Sequence, residues 1–137
     1  MQLTRRYRFC ASHRLHSQGL SEQANQELYG KCNNPYGHGH NYEVEVTVSG
    51  PVDRQTGRVV SIQDLDTLVK GQIIEPFDHR NLNEEVADFQ QLVPTTENFG
   101  VIIGQRLRAA WPSVFPECTP VLERVRIYET PRNIFQI

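Results

Sequence analysis

Residues 41–49 alternate between apolar and polar side chains, and this pattern constrains the fold more than any other stretch. Tyr42 and three valines take the even positions, whereas two glutamates and a threonine take the odd ones between them. Because the side chains of a strand point alternately to its two faces, one face of this segment is predicted to be buried and the other exposed to water. Such alternation is typical of an antiparallel sheet.

The rest of the chain adds further strands and two helices. The predicted strands span about residues 3–12, 41–49, 58–62 and 121–129. The predicted helices run from residue 61 or 63 to a stop before Pro76, and from Thr95 or Thr96 to Pro112. The order is strand, strand, strand, helix, helix, strand. It predicts an α+β domain in which two helices cover one face of a four-stranded antiparallel sheet. The open edges of such a sheet favour an oligomer.

Size and charge limit the possible functions. The 137 residues suit a single domain, 1–137. The net charge of −2, without a local cluster of Lys and Arg, argues against nucleic-acid binding. No apolar run approaches the roughly 18 residues of a membrane span, and the N-terminus lacks the apolar core of a signal peptide.

The three cysteines follow no disulfide framework, which indicates a reducing, cytoplasmic setting. Cys10 and Cys118 are interpreted as small apolar filler. Cys32 differs because it lies in a loop beside two histidines. A nearby cation would lower its pKa, so that it could serve as a fourth metal ligand or as a base.

Histidines supply a candidate metal site. His38 and His40 are two apart in an extended segment and therefore point to the same face, with Gly37 and Gly39 reducing the bulk around them. His13 ends another predicted strand. Three imidazoles without an obvious fourth ligand are what a catalytic zinc ion requires, since substrate or water needs the open position.

Acidic residues supply the other candidates. Asp78 and His79 are adjacent and form either a polar turn or a pair that moves protons near neutral pH. Glu129 follows an apolar strand, so its carboxylate should bind a partner within the fold or a ligand rich in N–H donors. Glu97 lies in the first turn of a predicted helix, where a negative charge suits the helix dipole.

Six motifs, taken together and in this order, resemble the 6-pyruvoyl-tetrahydropterin synthase and 6-carboxytetrahydropterin synthase family. They are Ala11-Ser12-His13-Arg14-Leu15, Tyr29-Gly30-Lys31-Cys32-Asn33-Asn34-Pro35, Gly37-His38-Gly39-His40-Asn41-Tyr42, Asp78-His79-Arg80-Asn81-Leu82, Thr95-Thr96-Glu97-Asn98 and Tyr128-Glu129-Thr130. The resemblance runs from about Tyr7 to Asn133. It implies the tunnelling fold, in which trimers close their sheets into a barrel, pair into homohexamers and hold active sites at subunit interfaces.

The resemblance also implies a role for each matching position. These are zinc ligands at His13, His38 and His40, catalytic groups at Cys32, Asp78 and His79, and pterin contacts at Glu129, Thr96 and Glu97. Cys32 would be the catalytic thiol, Asp78 with His79 a proton relay, and Glu129 the anchor of the amino-pyrimidine ring. Cys10 stands where the family commonly has serine.

The implied reaction converts 7,8-dihydroneopterin triphosphate to 6-pyruvoyl-tetrahydropterin with loss of triphosphate, the work of a carbon–oxygen lyase. The five residues between Cys32 and His38 resemble this branch. The alternative is a 6-carboxy-5,6,7,8-tetrahydropterin synthase of queuosine biosynthesis, a carbon–carbon lyase that releases acetaldehyde from the same substrate. A non-catalytic zinc or pterin-binding module would need neither the thiol nor the Asp–His pair, and a zinc hydrolase would need no thiol.

Overall fold

The computed structural model describes residues 1–117 and 119–137, and it is built on a five-stranded mixed sheet with the order β3-β1-β2-β4-β5. The strands are β1 (Gln2–His13), β2 (His38–Ser49), β3 (Arg80–Asn81), β4 (Val121–Tyr128) and β5 (Ile134–Gln136). Neighbouring strands are antiparallel, except that β3 pairs parallel with β1. The α+β class is confirmed, whereas the expected four-stranded, wholly antiparallel sheet is wrong.

The predicted third strand, at residues 58–62, is the source of this error. These residues form bends and lead into a helix whose N-cap is Ser61. Gly57 has a left-handed φ of 68°, so only a short apolar pair, Val59 and Val60, remains between the turn and the helix cap. The third strand of the sheet along the chain is instead β3, which pairs with Ala11 and Ser12 through tertiary contact.

The helices begin where the capping residues predict, but two of them continue past prolines. The helical segments are α1 (Glu22–Tyr29), α2 (Ile62–Val69), α3 (Glu75–Phe77), α4 (Leu82–Glu85) and α5 (Thr96–Val114), with 3₁₀ turns at Gly30–Asn33 and Ala87–Phe89 and a π turn at Lys70–Ile74. Through the π turn, α2 continues into α3 and includes Pro76. Likewise α5 includes Pro112, and Phe115 N donates to Trp111 O at 2.8 Å beyond it. None of the helices in the described part of the chain has the length and apolar character to cross a membrane.

The core lies between α2, α5 and one face of the sheet. The even residues of β2, which the alternation predicts as buried, are fully buried together with residues of β4 and the helices. Within this core, an aromatic cluster is formed by Phe9, Tyr42, Phe77 and Phe99. Full burial of each such side chain contributes roughly 1.5–3 kcal/mol. The cluster lies directly behind His40, whose ring is 5.6 Å from that of Tyr42.

The opposite face of β2 is less exposed to solvent than the alternation predicts. Glu45 and Thr47 are both buried. Glu45 accepts hydrogen bonds from Arg6 at 2.7 Å and from Tyr128 at 3.0 Å, and Thr47 bonds Thr4 at 2.9 Å. Cross-strand polar pairs therefore cover this face, which leaves these groups satisfied without water.

Candidate active site

Three histidines meet at one end of the β1–β2 ladder. His13 is the last residue of β1 and lies opposite His38, the first residue of β2, while His40 lies opposite Ala11. All three side chains point to the helix-covered face, and one ring nitrogen of each lies within 4.8 Å of the others. The Nε2 atoms of His13 and His38 are 3.0 Å apart. Strand register therefore places three nitrogen donors around one point.

The tautomer of His13 is set by the backbone. Its Nδ1 lies 2.7 Å from the carbonyl oxygen of Pro94, which can only accept, so Nδ1 carries the proton and Nε2 keeps its lone pair. Burial lowers the pKa of His13 to about 4, and the charges of His38 and His40 act in the same direction. Burial, followed by His40, also lowers the pKa of His38. His13 and His38 are thus favoured in the neutral form that metal binding requires.

The donor set fits a metal ion. His40 Nε2 and His38 Nδ1 are buried without a hydrogen-bond partner among the described residues. An unpaired buried nitrogen is costly, and a cation between the three rings would satisfy the one on His40. Three imidazole nitrogens around one point form a donor set that suits a divalent transition-metal ion.

Gly37 is the glycine whose backbone this arrangement requires. Its φ of 71° lies in the left-handed region, and a Cβ at this position would be 2.9 Å from the carbonyl oxygen of His13. Gly39 shows no such restriction, since its nearest contact would be 3.8 Å from Ala11. The close approach of the two strand ends therefore depends on Gly37. The sequence predicts that both Gly37 and Gly39 reduce the bulk around the histidines, and the backbone requires a glycine only at Gly37.

Cys32 is held beside the chain that follows His13. It lies in the 3₁₀ turn after α1, where its carbonyl accepts from Leu15 N at 2.9 Å. The neighbouring Asn33 donates to Leu15 O at 2.7 Å, which fixes the turn. Burial raises the pKa of the half-buried Cys32 thiol, and the negative charge of Glu129 raises it further. Cys32 thus shares the electrostatic environment of the histidines.

Glu129 brings a carboxylate to the same place. It follows β4 directly, and its Oε1 is 3.7 Å from His40 Nε2 and 3.9 Å from His13 Nε2. The buried Thr96 hydroxyl, at the start of α5, donates to Oε1 at 2.6 Å. Asn133 donates to Oε2 at 3.4 Å. The carboxylate is therefore oriented by groups from two elements and still has lone pairs for a ligand.

The remaining predicted contact, Glu97, is exposed in the first turn of α5. There its charge favours the helix dipole, as the alternative interpretation had it. A cleft of about 620 Å³ opens next to His13, and Arg14, Tyr36 and Pro94 are among its lining residues. Of the three clustered histidines only His13 lines this cleft, and neither Cys32 nor Glu129 does.

The side chains of Asp78 and His79 lie beside that of Cys10, which points to the other face of the sheet from the three histidines. Cys10, which alternates with Ala11 and points away from the histidine face, donates from its backbone N to Asp78 Oδ1 at 2.9 Å. His79 Nδ1 is 3.0 Å from the same oxygen, and the His79 side chain is 80% exposed. The two residues form the predicted pair, but within one chain they do not face Cys32.

Two site features lay outside the sequence analysis. The Pro94 carbonyl that orients His13 has no residue-type signature, because any residue offers a carbonyl. Cys10 is exposed, so its interpretation as apolar filler is wrong. Its Sγ donates to Asn41 Oδ1 at 3.0 Å, next to the Asp78–His79 pair. The departure from serine at this position was the available signal. Cys118 lies outside the described residues.

Known proteins are similar to this chain over nearly its whole length. The family model described as 6-pyruvoyl tetrahydropterin synthase matches residues 2–137. A Poecilia reticulata protein named 6-pyruvoyl tetrahydrobiopterin synthase is 48% identical over 132 residues, which cover 96% of this chain and 86% of that protein. A Homo sapiens protein of the same name is 47% identical over 133 residues, which cover 97% of this chain and 88% of that protein.

The fold agrees as well. The solved structure of Caenorhabditis elegans 6-pyruvoyl tetrahydropterin synthase matches with a TM-score of 0.89 at 39% sequence identity, over 100% of this chain and 94% of that one. Family match, identity and fold each extend over nearly the whole chain. This chain belongs to the 6-pyruvoyl tetrahydropterin synthase family.

Proposed function

We propose that this protein is a lyase that converts 7,8-dihydroneopterin triphosphate to 6-pyruvoyl-tetrahydropterin with release of triphosphate. The observation that carries the proposal is the convergence of three imidazoles, the Cys32 thiol and the oriented carboxylate of Glu129 at one end of the sheet. Relatives that share nearly half of its residues over almost the full length bear the synthase name, which supports the same conclusion.

Zinc is the proposed cofactor, held by His13, His38 and His40. The lowered pKa of His13 and the unpaired, buried His40 Nε2 support this choice. Zinc bound there would supply Lewis acidity, which polarises the hydroxyl oxygens of the substrate side chain. The Pro94 carbonyl keeps the His13 lone pair pointed at the ion.

Glu129 is proposed to bind the pterin ring. The amino-pyrimidine edge presents adjacent N–H donors, and a carboxylate with two oxygens accepts them as a pair. Thr96 holds one oxygen in place by donating to it at 2.6 Å. This contact fixes the side chain of the substrate relative to the histidines. A substrate role for Glu97 stays a prediction, since its side chain is exposed.

Proton transfer is assigned to Cys32 and to the Asp78–His79 pair of the partner subunit. Within one chain the pair occupies the opposite sheet face, so an active site between subunits supplies the missing proton carrier. Cys32 Sγ, once ionised, takes a proton from the substrate side chain, and a ring nitrogen of the partner's His79 carries protons between side chain and ring. Asp78 stays ionised, because the backbone N–H of Cys10 lowers its pKa, and it orients the imidazole.

This arrangement implies an oligomer, and we propose the homohexamer of the family. The sheet supports it: β3 pairs only with Ala11 and Ser12, so most of the outer edge of the twelve-residue β1 is open to pairing between copies. We further assign residues 1–137 to one domain in the cytoplasm. The family match over residues 2–137 supports the first assignment, and the free thiols of Cys10 and Cys32 support the second.

Product analysis tests the function. Zinc-loaded protein is incubated with 7,8-dihydroneopterin triphosphate, and products are identified by mass spectrometry with a parallel assay for acetaldehyde. We expect a pyruvoyl-tetrahydropterin and triphosphate without acetaldehyde. A carboxy-tetrahydropterin with acetaldehyde would move the chain to the other branch of the family. Absence of turnover with full zinc loading would contradict a lyase function altogether.

A further inference from the structure

A second group of side chains whose donor atoms could hold a metal ion lies apart from the three histidines. Cys10, Asp78 and His79 each offer one donor atom, and these sulfur, oxygen and nitrogen atoms all lie within 4.8 Å of one another. The group lies where β1 meets the turn before β3, on the sheet face that points away from His13. It contains a thiol for which the proposed reaction has no use.

The backbone fixes the three side chains relative to one another. Cys10 N donates to Asp78 Oδ1 at 2.9 Å, and His79 N donates to Cys10 O at 2.6 Å. His79 has a φ of 57°, a left-handed conformation that few non-glycine residues adopt. Two reciprocal contacts and a constrained turn therefore hold the donors, which lowers the entropy lost when they take up a ligand.

The donor chemistry suits a thiophilic divalent cation. Thiolate, imidazole and carboxylate are all zinc ligands, and the thiolate favours zinc or cadmium over magnesium or calcium. The hydrogen bond from Cys10 N lowers the pKa of Asp78, so the carboxylate is already ionised. A hollow of about 470 Å³ adjoins the group, with Asn41 and Glu85 also in its lining, and leaves space for a water molecule as a fourth ligand.

We propose that Cys10, Asp78 and His79 form a second, inhibitory site for Zn²⁺ on each chain. Binding replaces the Cys10 Sγ–H hydrogen bond to Asn41, now 3.0 Å long, by a metal–sulfur bond and releases the thiol proton to solvent. It also places the His79 imidazole and the Asp78 carboxylate on the ion. The inhibitory part rests on the proposed function, because it requires that this pair moves protons in catalysis.

Cadmium titration tests the site without reference to activity. Protein that carries one zinc per chain is titrated with Cd²⁺, and the ultraviolet charge-transfer band between thiolate and cadmium is recorded together with metal content. We expect one further equivalent and the band in the wild type, and neither in Cys10→Ser, which keeps a hydroxyl that can donate to Asn41. Cys32→Ala should keep the band, which excludes the other described thiol as its source.

A second variant tests the site independently of any folding defect in Cys10→Ser. His79→Gln removes the imidazole at an exposed position, and we expect it to bind the additional cadmium at least tenfold more weakly. A full extra equivalent with the same band in Cys10→Ser, or no extra equivalent in the wild type, would overturn the site.

Inhibition is measured with excess Zn²⁺, each protein against its own rate at one zinc per chain. The wild type should lose most of its rate, and Cys10→Ser should lose little. If the additional equivalent binds without loss of rate, the inhibitory role is wrong while the site stands. If zinc-loaded wild type shows no turnover yet binds the extra cadmium, the proposed function fails and the metal site does not. If the wild type turns over but binds no extra cadmium, the metal site fails and the proposed function stands.

Discussion

The thiol of Cys32 is held in an environment that keeps it protonated. Burial and the charge of Glu129 both raise its pKa, so the protein part of the site disfavours the thiolate. A cation among the three neighbouring histidines would act in the opposite direction. Such an arrangement ties the ionisation of the proposed base to occupation of the metal site. Glu129 and the three histidines would therefore affect catalysis through the pKa of Cys32, as well as by binding substrate and metal.

Replacement of this thiol separates binding from catalysis. In Cys32→Ala we expect kcat to fall by about 10²–10⁴, the usual contribution of a general base. The zinc content and the dissociation constant for a pterin ligand should stay close to those of the wild type, because Glu129 and the histidines are untouched. Turnover, metal analysis and equilibrium binding of a non-reacting pterin check these outcomes. A variant that keeps most of its rate would exclude Cys32 as the base.

At the level of elements, the first turn of α5 links helix stability to the site. Thr95 caps the helix, and its side chain accepts from Asn98 N at 3.3 Å. The next residue, Thr96, donates to Glu129. The carboxylate proposed to anchor the pterin is therefore positioned by a helix start, a feature that the capping pattern of the sequence predicts well.

Loss of the cap should weaken the helix. We expect Thr95→Ala to lower the free energy of unfolding by about 1 kcal/mol, because the N–H of Asn98 loses its acceptor. Urea denaturation followed by circular dichroism measures the change. Thr67→Ala, an exposed threonine inside α2, is the matched control and should be neutral or slightly stabilising, since alanine is the better helix former. Equal losses in both variants would show that capping is not the cause.

The ion pair between Arg5 of β1 and Asp66 of α2 should make the free energy of unfolding decrease at acidic pH. Asp66 accepts from Arg5 and from Tyr7, the latter at 2.8 Å. The bond from Arg5 lowers the pKa of this carboxyl. Its stabilising effect is therefore present above the ordinary carboxyl pKa and is lost as the pH falls through the lower, folded-state pKa.

In Asp66→Asn we expect a decrease in unfolding free energy at pH 7 of at most about 1 kcal/mol, because the pair is partly screened by solvent. The difference from the wild type should shrink as the pH is lowered towards 2. Thermal unfolding from pH 7 to pH 2 measures this, with Asp64→Asn on the same helix as the control. A difference that does not change with pH would exclude the charge as its origin.

For the whole molecule, the sheet separates two sets of proposed functional groups. One face carries His13, His38 and His40, and the other carries Asp78 and His79 at its edge. A catalytic site that needs both sets must take them from different copies of the chain. The position of the pair thus favours an assembly in which neighbouring subunits complete each other.

Mixed oligomers test this. Cys32→Ala and His79→Ala are each expected to be nearly inactive alone. When the two are co-expressed and co-purified through different tags, about one quarter of the interface sites should contain both intact groups and turn over. Activity of the mixture close to that fraction of the wild type supports shared sites. No recovery in mixed oligomers would show that each chain uses its own residues.

Much of this architecture was predictable, and the failures have a common cause. Local signals gave the alternation of β2, the caps at Ser61 and Thr95, and the pairing of His38 with His40 on one face. Contacts between distant segments were not predictable. The strand β3 exists through its pairing with β1, and the tautomer of His13 depends on a carbonyl 81 residues away.

The π turn at Lys70–Ile74 sets the rotational phase of the segment that follows it. A π turn corresponds to one residue inserted into an α-helix, and deletion of one residue would rotate everything beyond it by about 100°. The last bond of this helical run, from Asp78 N to Ile74 O at 2.8 Å, lies just past the insertion. Without the inserted residue, the carboxylate of Asp78 would turn away from Cys10 N. A deletion at Gly71, where no neighbouring atom constrains a side chain, would therefore leave a longer regular helix and would separate the Asp78 carboxylate from the partner that fixes it.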